Sequence, residues 1–175
     1  MHSSGRWVCP FGVVKVKKQQ DSGSANPQAT QFHANQYWKQ RLNSRFDIEG
    51  VGYMGLGKLY NQLLYQIRLE LLEGVLQKTA GTISDKSILE LGPGIGIYTD
   101  FFAQKSVQHY EAIDFVEKSV AELSGRYKSY RFCCGDIADR ENYKKKYNLI
   151  LAAAVLLHLT DAEKYRQTIQ NVAAH

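Results

Sequence analysis

Cysteine is scarce and poorly placed for a structural role: Cys9, Cys133 and Cys134 are the only three, and two of them are adjacent. Neighbours in a strand point to opposite faces, so these residues build neither a disulfide framework nor a metal site of recognised spacing. A reducing cytoplasm is the expected setting, and no metal is expected. No apolar run is long enough to span a bilayer, so no membrane partner is expected. The fragment Trp7-Val8-Cys9-Pro10-Phe11-Gly12-Val13-Val14 is short, contains Pro10 and runs into Lys15-Val16-Lys17-Lys18 without a small-residue cleavage pattern, which makes it a poor signal peptide. Acidic residues are in mild deficit, 17 Asp and Glu against 22 Lys and Arg, for a net charge of +5. Part of that excess, Arg6, Lys15, Lys17 and Lys18, precedes the expected core. The folded region has one basic run, Lys144-Lys145-Lys146, in a connection before a strand, where a solvated loop explains it and nucleic acid is not needed.

What is present suffices for one domain with a real core: 175 residues, 44% of them hydrophobic. Residues 1–30 read as a disordered tail, because Gln19-Gln20-Asp21-Ser22-Gly23-Ser24 has nothing to bury. Residues 31–80 read as a helical extension, with Phe32, Tyr37, Trp38, Leu42, Phe46 and Ile48 as apolar anchors and a short helix over Tyr37 to Leu42. Within it, Gly50, Gly52 and Gly55 satisfy the dinucleotide pattern, but Asn43 to Glu49 is too charged to be the buried strand that pattern requires. Gly52 to Lys58 nearly spells a triphosphate loop, yet Leu59 stands where Ser or Thr would hold magnesium. A flexible glycine loop beside a ligand edge is the expected role. From Lys58 to Lys78 a long helix follows, in which Leu59, Leu63, Ile67, Leu71 and Val75 recur every fourth residue, flanked by Leu56, Tyr60, Leu64 and Leu72, and form one wide apolar face. Tyr60, Asn61, Tyr65 and Arg68 need no function as core and surface residues.

The stretch that organises residues 81–175 is Ser87-Ile88-Leu89-Glu90-Leu91-Gly92-Pro93-Gly94-Ile95-Gly96-Ile97-Tyr98. It reads as a strand, a tight turn through three glycines and the start of a helix, whose free amide hydrogens favour an anionic ligand group. A second strand, Tyr110-Glu111-Ala112-Ile113-Asp114, ends in an acid 22 residues after Gly92, where a carboxylate accepts ribose hydroxyls. A third, Arg131-Phe132-Cys133-Cys134, leads into Gly135-Asp136-Ile137. Elements alternate through helix 97–105, strand 109–114, helix 116–127, strand 130–134, strand 147–153 and helix 161–174, which argues for a parallel sheet with helices on both faces. Ligands on such sheets bind beyond the carboxyl ends of the strands, where Glu90, Asp114 and Asp136 should meet.

These pieces, followed by Tyr147-Asn148-Leu149-Ile150-Leu151-Ala152-Ala153-Ala154-Val155-Leu156-Leu157-His158-Leu159, occur in the order and at about the spacings of the class I S-adenosylmethionine-dependent methyltransferases, which the chain resembles over roughly residues 80–174. The resemblance implies a Rossmann-like α/β fold with S-adenosyl-L-methionine as cofactor. Backbone at Gly92, Gly94 and Gly96, with Glu90 beside it, would hold the methionine portion. Asp114 would accept the ribose hydroxyls, Phe115 would lie against adenine, and Asp136 with the Ile137 amide would read the adenine amino edge. Ala152 and Ala153 would present backbone near the sulfonium. In that family the preceding helix often caps the pocket, which would set Tyr60 or Tyr65 against the sulfonium or the substrate. A turn or capping role is the competing reading for Asp136. His158 is either a general base or a structural residue of the turn after the fourth strand.

The family's sheet normally continues past the helix at Asp161 to Ala174, whereas His175 is the last residue here. The resemblance therefore implies an incomplete class I fold, with a cofactor half, a missing part of the acceptor site, and a fourth strand left as an edge open to self-association. Three functions stay open: methyl transfer to a small-molecule acceptor, a binding module without turnover, and a dinucleotide oxidoreductase, the last disfavoured by Ile97 and Glu90.

Overall fold

The computed structural model describes residues 33–175, so the tail expected over residues 1–30, with Phe32, Cys9 and the fragment at 7–14, lies outside the described residues. Helix α1, Ala34–Ser44, is longer than the short helix expected within it. Asp47 then caps the single turn α2, Ile48–Val51, by accepting from the backbone N–H of Glu49 and Gly50. After a 3-10 turn at Met54–Leu56 comes the long helix α3, Gly57–Thr79. The alternating part is β1 Ser87–Leu91, α4 Ile97–Gln104, β2 His109–Asp114, α5 Glu117–Arg126, β3 Arg131–Cys134, β4 Leu149–Leu151 and α6 Ala162–Ala174.

The four strands are parallel, in the order β3-β2-β1-β4. Strand alternation sorts the core into two layers. Ile88, Tyr110 and Ala112 point to the side where α4 supplies Tyr98, Phe101 and Phe102 and α3 supplies Tyr65 and Leu76. Leu89, Leu91 and Ile113 point to the other side, where Ile137, Tyr143 and, from α6, Val172 cover them. Helices on both faces are thus as expected. The fourth strand is shorter than the expected 147–153, and just before it Asn148 is tied to Ser87 by its N–H, which donates to the Ser87 carbonyl, and by its side-chain oxygen, which accepts from Ser87 N. It is the expected edge, and its residues are only half-buried. On β3, at the opposite edge, Cys133 is half-buried and Cys134 exposed, both as free thiols.

The apolar row of α3 faces outward: Leu59 is 70% and Leu71 65% exposed, and Leu63, Ile67 and Val75 are exposed as well. The buried side is instead Asn61, Tyr65 and Leu76. Specific bonds outweigh the stripe here. The Asn61 side chain accepts from Tyr53 N at 2.7 Å and donates to the carbonyls of Tyr53 and Gly57, while the Tyr65 hydroxyl donates to the Val51 carbonyl at 3.2 Å. In the glycine segment before α3, Gly50 and Gly52 are packed, since a Cβ on Gly52 would lie 2.0 Å from the Asn61 amide oxygen and one on Gly50 2.0 Å from the Arg45 carbonyl, whereas a Cβ on Gly55 or Gly57 would meet nothing within 4 Å. Among the described residues no helix is long and apolar enough to cross a membrane.

Candidate functional site

The turn from β1 to α4 is possible only with glycine. Gly92, Gly94 and Gly96 all hold positive φ, at 67°, 57° and 89°. At Gly96, the residue before α4, an added Cβ would also stand 2.4 Å from Leu123 of α5, so this position fixes how closely the loop packs on that helix. Asp114, at the carboxyl end of β2, braces the same loop. One of its oxygens accepts from Gly94 N at 3.0 Å and the other from Val116 N at 2.8 Å. Burial pushes this carboxyl up to about 6, against the lowering effect of those two N–H donors.

Beyond the strand ends lies a cavity of about 730 Å³, walled by the glycine loop, the ends of β2 and β4, and the extension. Of the residues expected at the site, Gly92, Gly94, Asp114, Phe115, Asp136, Ile137, Ala153, Tyr65 and His158 line it. Glu90, Gly96, Ala152 and Tyr60 are not on its wall. Glu90 shares the face of β1 that carries Ile88, so its carboxylate lies within the core, accepting from Thr99 Oγ1 at 3.2 Å and from the Tyr110 hydroxyl. Burial pushes it up to about 7, with those two bonds pulling the other way. Tyr60 leans on Tyr53 on the outer side of α3.

Asp136 accepts from Ala138 N at 3.0 Å in a turn and is paired with Lys164 of α6. Burial alone would raise this carboxyl, but the lysine and the N–H donor outweigh it and hold it below the usual range. His158 packs edge-on against Trp38 with ring centres 4.9 Å apart. Burial first, and the charge of Arg41 second, hold its imidazole below the ordinary histidine range, so it is neutral near pH 7.

Three further residues of the wall were not singled out from the sequence as ligand contacts. Trp38 and Arg41 come from α1 and Arg68 from α3. The Arg41 guanidinium lies 5.0 Å from the Trp38 ring and donates to the carbonyls of Glu49 and Gly52, tying α1 to the glycine segment. Its Nε and the indole Nε1 of Trp38 are buried with no hydrogen-bond partner. The sequence offered one signal for them, an aromatic-basic cluster at residues 37–41, but nothing in it places that cluster against His158, about 120 residues onward.

The cavity fits an adenosyl sulfonium ligand: bare backbone at Gly92 and Gly94, an acid at the end of β2 and an aromatic ring at Phe115 share its wall. Residues 88–175, half of the chain, match the family model described as a methyltransferase domain. A phosphoethanolamine N-methyltransferase of Triticum aestivum is 37% identical over 83 residues, covering 45% of this chain and 16% of that protein. Phosphoethanolamine N-methyltransferase 1 of Arabidopsis thaliana is 35% identical over 83 residues, with 45% and 17% covered. The matched stretch thus spans about a sixth of the length of these curated relatives. Among solved structures, magnesium protoporphyrin IX methyltransferase from Synechocystis PCC 6803 with bound SAM superposes with a TM-score of 0.60 at 18% identity, covering 83% of this chain and 73% of that one. The N-methyltransferase NodS from Bradyrhizobium japonicum WM9, in complex with S-adenosyl-L-homocysteine, gives 0.60 at 18%, covering 82% and 67%. At that identity the structural likeness is one of fold. With the family match in residues 88–175 and the glycine turn at its head, the chain belongs to the class I S-adenosylmethionine-dependent methyltransferases.

Proposed function

We propose that this chain binds S-adenosyl-L-methionine in the cavity beyond the strand ends and transfers its methyl group to a small amine that also carries an anionic group. The observation that carries the binding half is Asp114, held by Gly94 N and Val116 N so that the acid and the glycine loop form one rigid edge of the cavity. Bound there, the cofactor supplies a methyl group already activated by its sulfonium charge. The chain's own residues then align and enclose. Gly92 and Gly94 offer backbone to the methionine portion, Asp114 accepts ribose hydroxyls, and Phe115 with Asp136 and Ile137 frames the adenine. Trp38 and Tyr65 wall the cavity on the side of the extension and exclude water. His158, neutral near pH 7, accepts the proton an ammonium acceptor must lose before its nitrogen attacks.

The acceptor class rests on two supports. The curated relatives are named for phosphoethanolamine, an amine with an anionic group. Arg41 and Arg68 stand on the cavity wall, and among the described residues neither is paired with a carboxylate. The test is calorimetric titration with S-adenosyl-L-homocysteine and, separately, with reduced nicotinamide dinucleotide, followed by an assay of labelled methyl transfer to amines with and without a phosphate. Binding of the first ligand alone, with transfer to the phosphorylated amine, is expected. Binding of the dinucleotide instead would overturn the cofactor assignment, and cofactor binding without transfer would leave a binding module.

A further inference from the structure

Among the described residues, the outward side of α3 carries a row of exposed apolar side chains that do not line the cavity. Leu59, Leu63, Ile67, Leu71 and Val75 form an unbroken i, i+4 row on it, every one more than half exposed, and the preceding turn extends the patch through Met54 at 57%. Successive residues of an i, i+4 row turn by about 40° around a helix, so what one partner helix can cover is the middle of the row, Leu63, Ile67 and Leu71. Contiguous exposed apolar side chains of this kind mark an interaction site.

We propose that this face is the interface between two copies of the chain, α3 packed antiparallel on α3 about a two-fold axis at Ile67. A two-fold axis at the centre of the row brings Leu63, Ile67 and Leu71 of one helix against the same residues of the other. The row is symmetric about its centre, as such an axis requires: Leu63 of one copy meets Leu71 of the other. Gly74 gives an independent indication. Glycine weakens a helix interior, and no contact among the described residues asks for it here, since an added Cβ would meet nothing within 4 Å. It lies seven residues after Ile67 as Tyr60 lies seven before, so the large ring of one copy comes over the small residue of the other.

Charge selects this occupant over a lipid surface. No residue from Leu59 to Ile67 is charged, and Glu70 flanks the row where an anionic membrane would call for lysine or arginine. Strand β4, the other candidate edge, offers only three paired residues, a length that resists strand addition. Met54 belongs both to the patch and to the cavity wall, so the second copy would close in beside the cavity mouth.

Sedimentation velocity across a micromolar concentration series tests the proposal on the full chain. The expected result is the mass of two chains, and the mass of one chain for Leu63→Glu with Leu71→Glu, with helix content and homocysteine-cofactor affinity unchanged. Should that pair misfold, Leu63→Gln with Leu71→Gln serves. Independently, in a chain with all three cysteines changed to serine, Ile67→Cys should form an interchain disulfide under mild oxidant, whereas Leu59→Cys, off the axis, should not. A monomeric natural chain overturns the proposal. So does association that survives both substituted pairs, absence of the Ile67→Cys crosslink, or a monomer that co-sediments with phosphatidylserine vesicles.

Discussion

Asp114 has two duties, because the oxygens that would receive a ribose already hold Gly94 N and Val116 N. Asparagine at this position keeps the size but has one acceptor oxygen where two N–H groups need partners. Asp114→Asn should therefore weaken S-adenosyl-L-homocysteine binding at least tenfold by calorimetry and cost about 1–2 kcal/mol of stability by denaturant titration. Glu90 makes a different forecast. Its folded carboxyl titrates near 7, above the unfolded value of about 4.3, so between these pH values the folded state binds the extra proton. Stability then falls as pH rises through that window, and Asp114, near 6, adds in the same direction over the lower part. Glu90→Gln should flatten most of the slope of melting temperature between pH 5 and 8, and an unchanged slope would put the proton elsewhere. The sequence located both acids at strand ends but set Glu90 at the ligand. What it lacked was parity, since Glu90 shares a strand face with Ile88 and looks into the core, and the covering layer that fixes parity comes from α3 and α4.

Among the elements, the first three strands and the helices between them were legible to within about a residue, because each short apolar run is bounded by glycine, aspartate or a polar cluster, whereas the fourth strand is shorter than its apolar run. Helix α3 was legible in extent and not in orientation. Periodicity says which side of a helix is apolar, but whether anything covers that side depends on the rest of the molecule. What seats α3 is Asn61, fully buried, with two hydrogen bonds to Tyr53 in the segment before the helix and a third to the Gly57 carbonyl at its start. Asn61→Ala should cost about 3 kcal/mol by chemical denaturation, since it empties buried space and strands backbone groups of Tyr53 and Gly57. Leu59→Ala, at the most exposed position of the row, should cost the isolated chain under about 0.5 kcal/mol. If the order of these two were reversed, α3 would be seated by its apolar row after all.

For the molecule as a whole, the parallel sheet order β3-β2-β1-β4 sets β1 beside β2 and places one cavity wall at their carboxyl ends, where such sheets bind ligands. The other wall was beyond reach of sequence, because α1 meets the turn after β4 only in the folded chain, through Trp38 on His158. That contact has an optical consequence. The chain has two tryptophans, Trp7 and Trp38, and the second sits against an imidazole on the wall of the cavity. With Trp7→Phe, the indole emission comes from that wall alone, so saturation with S-adenosyl-L-homocysteine should change its intensity or wavelength, and His158→Ala should alter the emission of the unliganded protein. The fold thus carries its own fluorescent gauge of whether the cavity is filled.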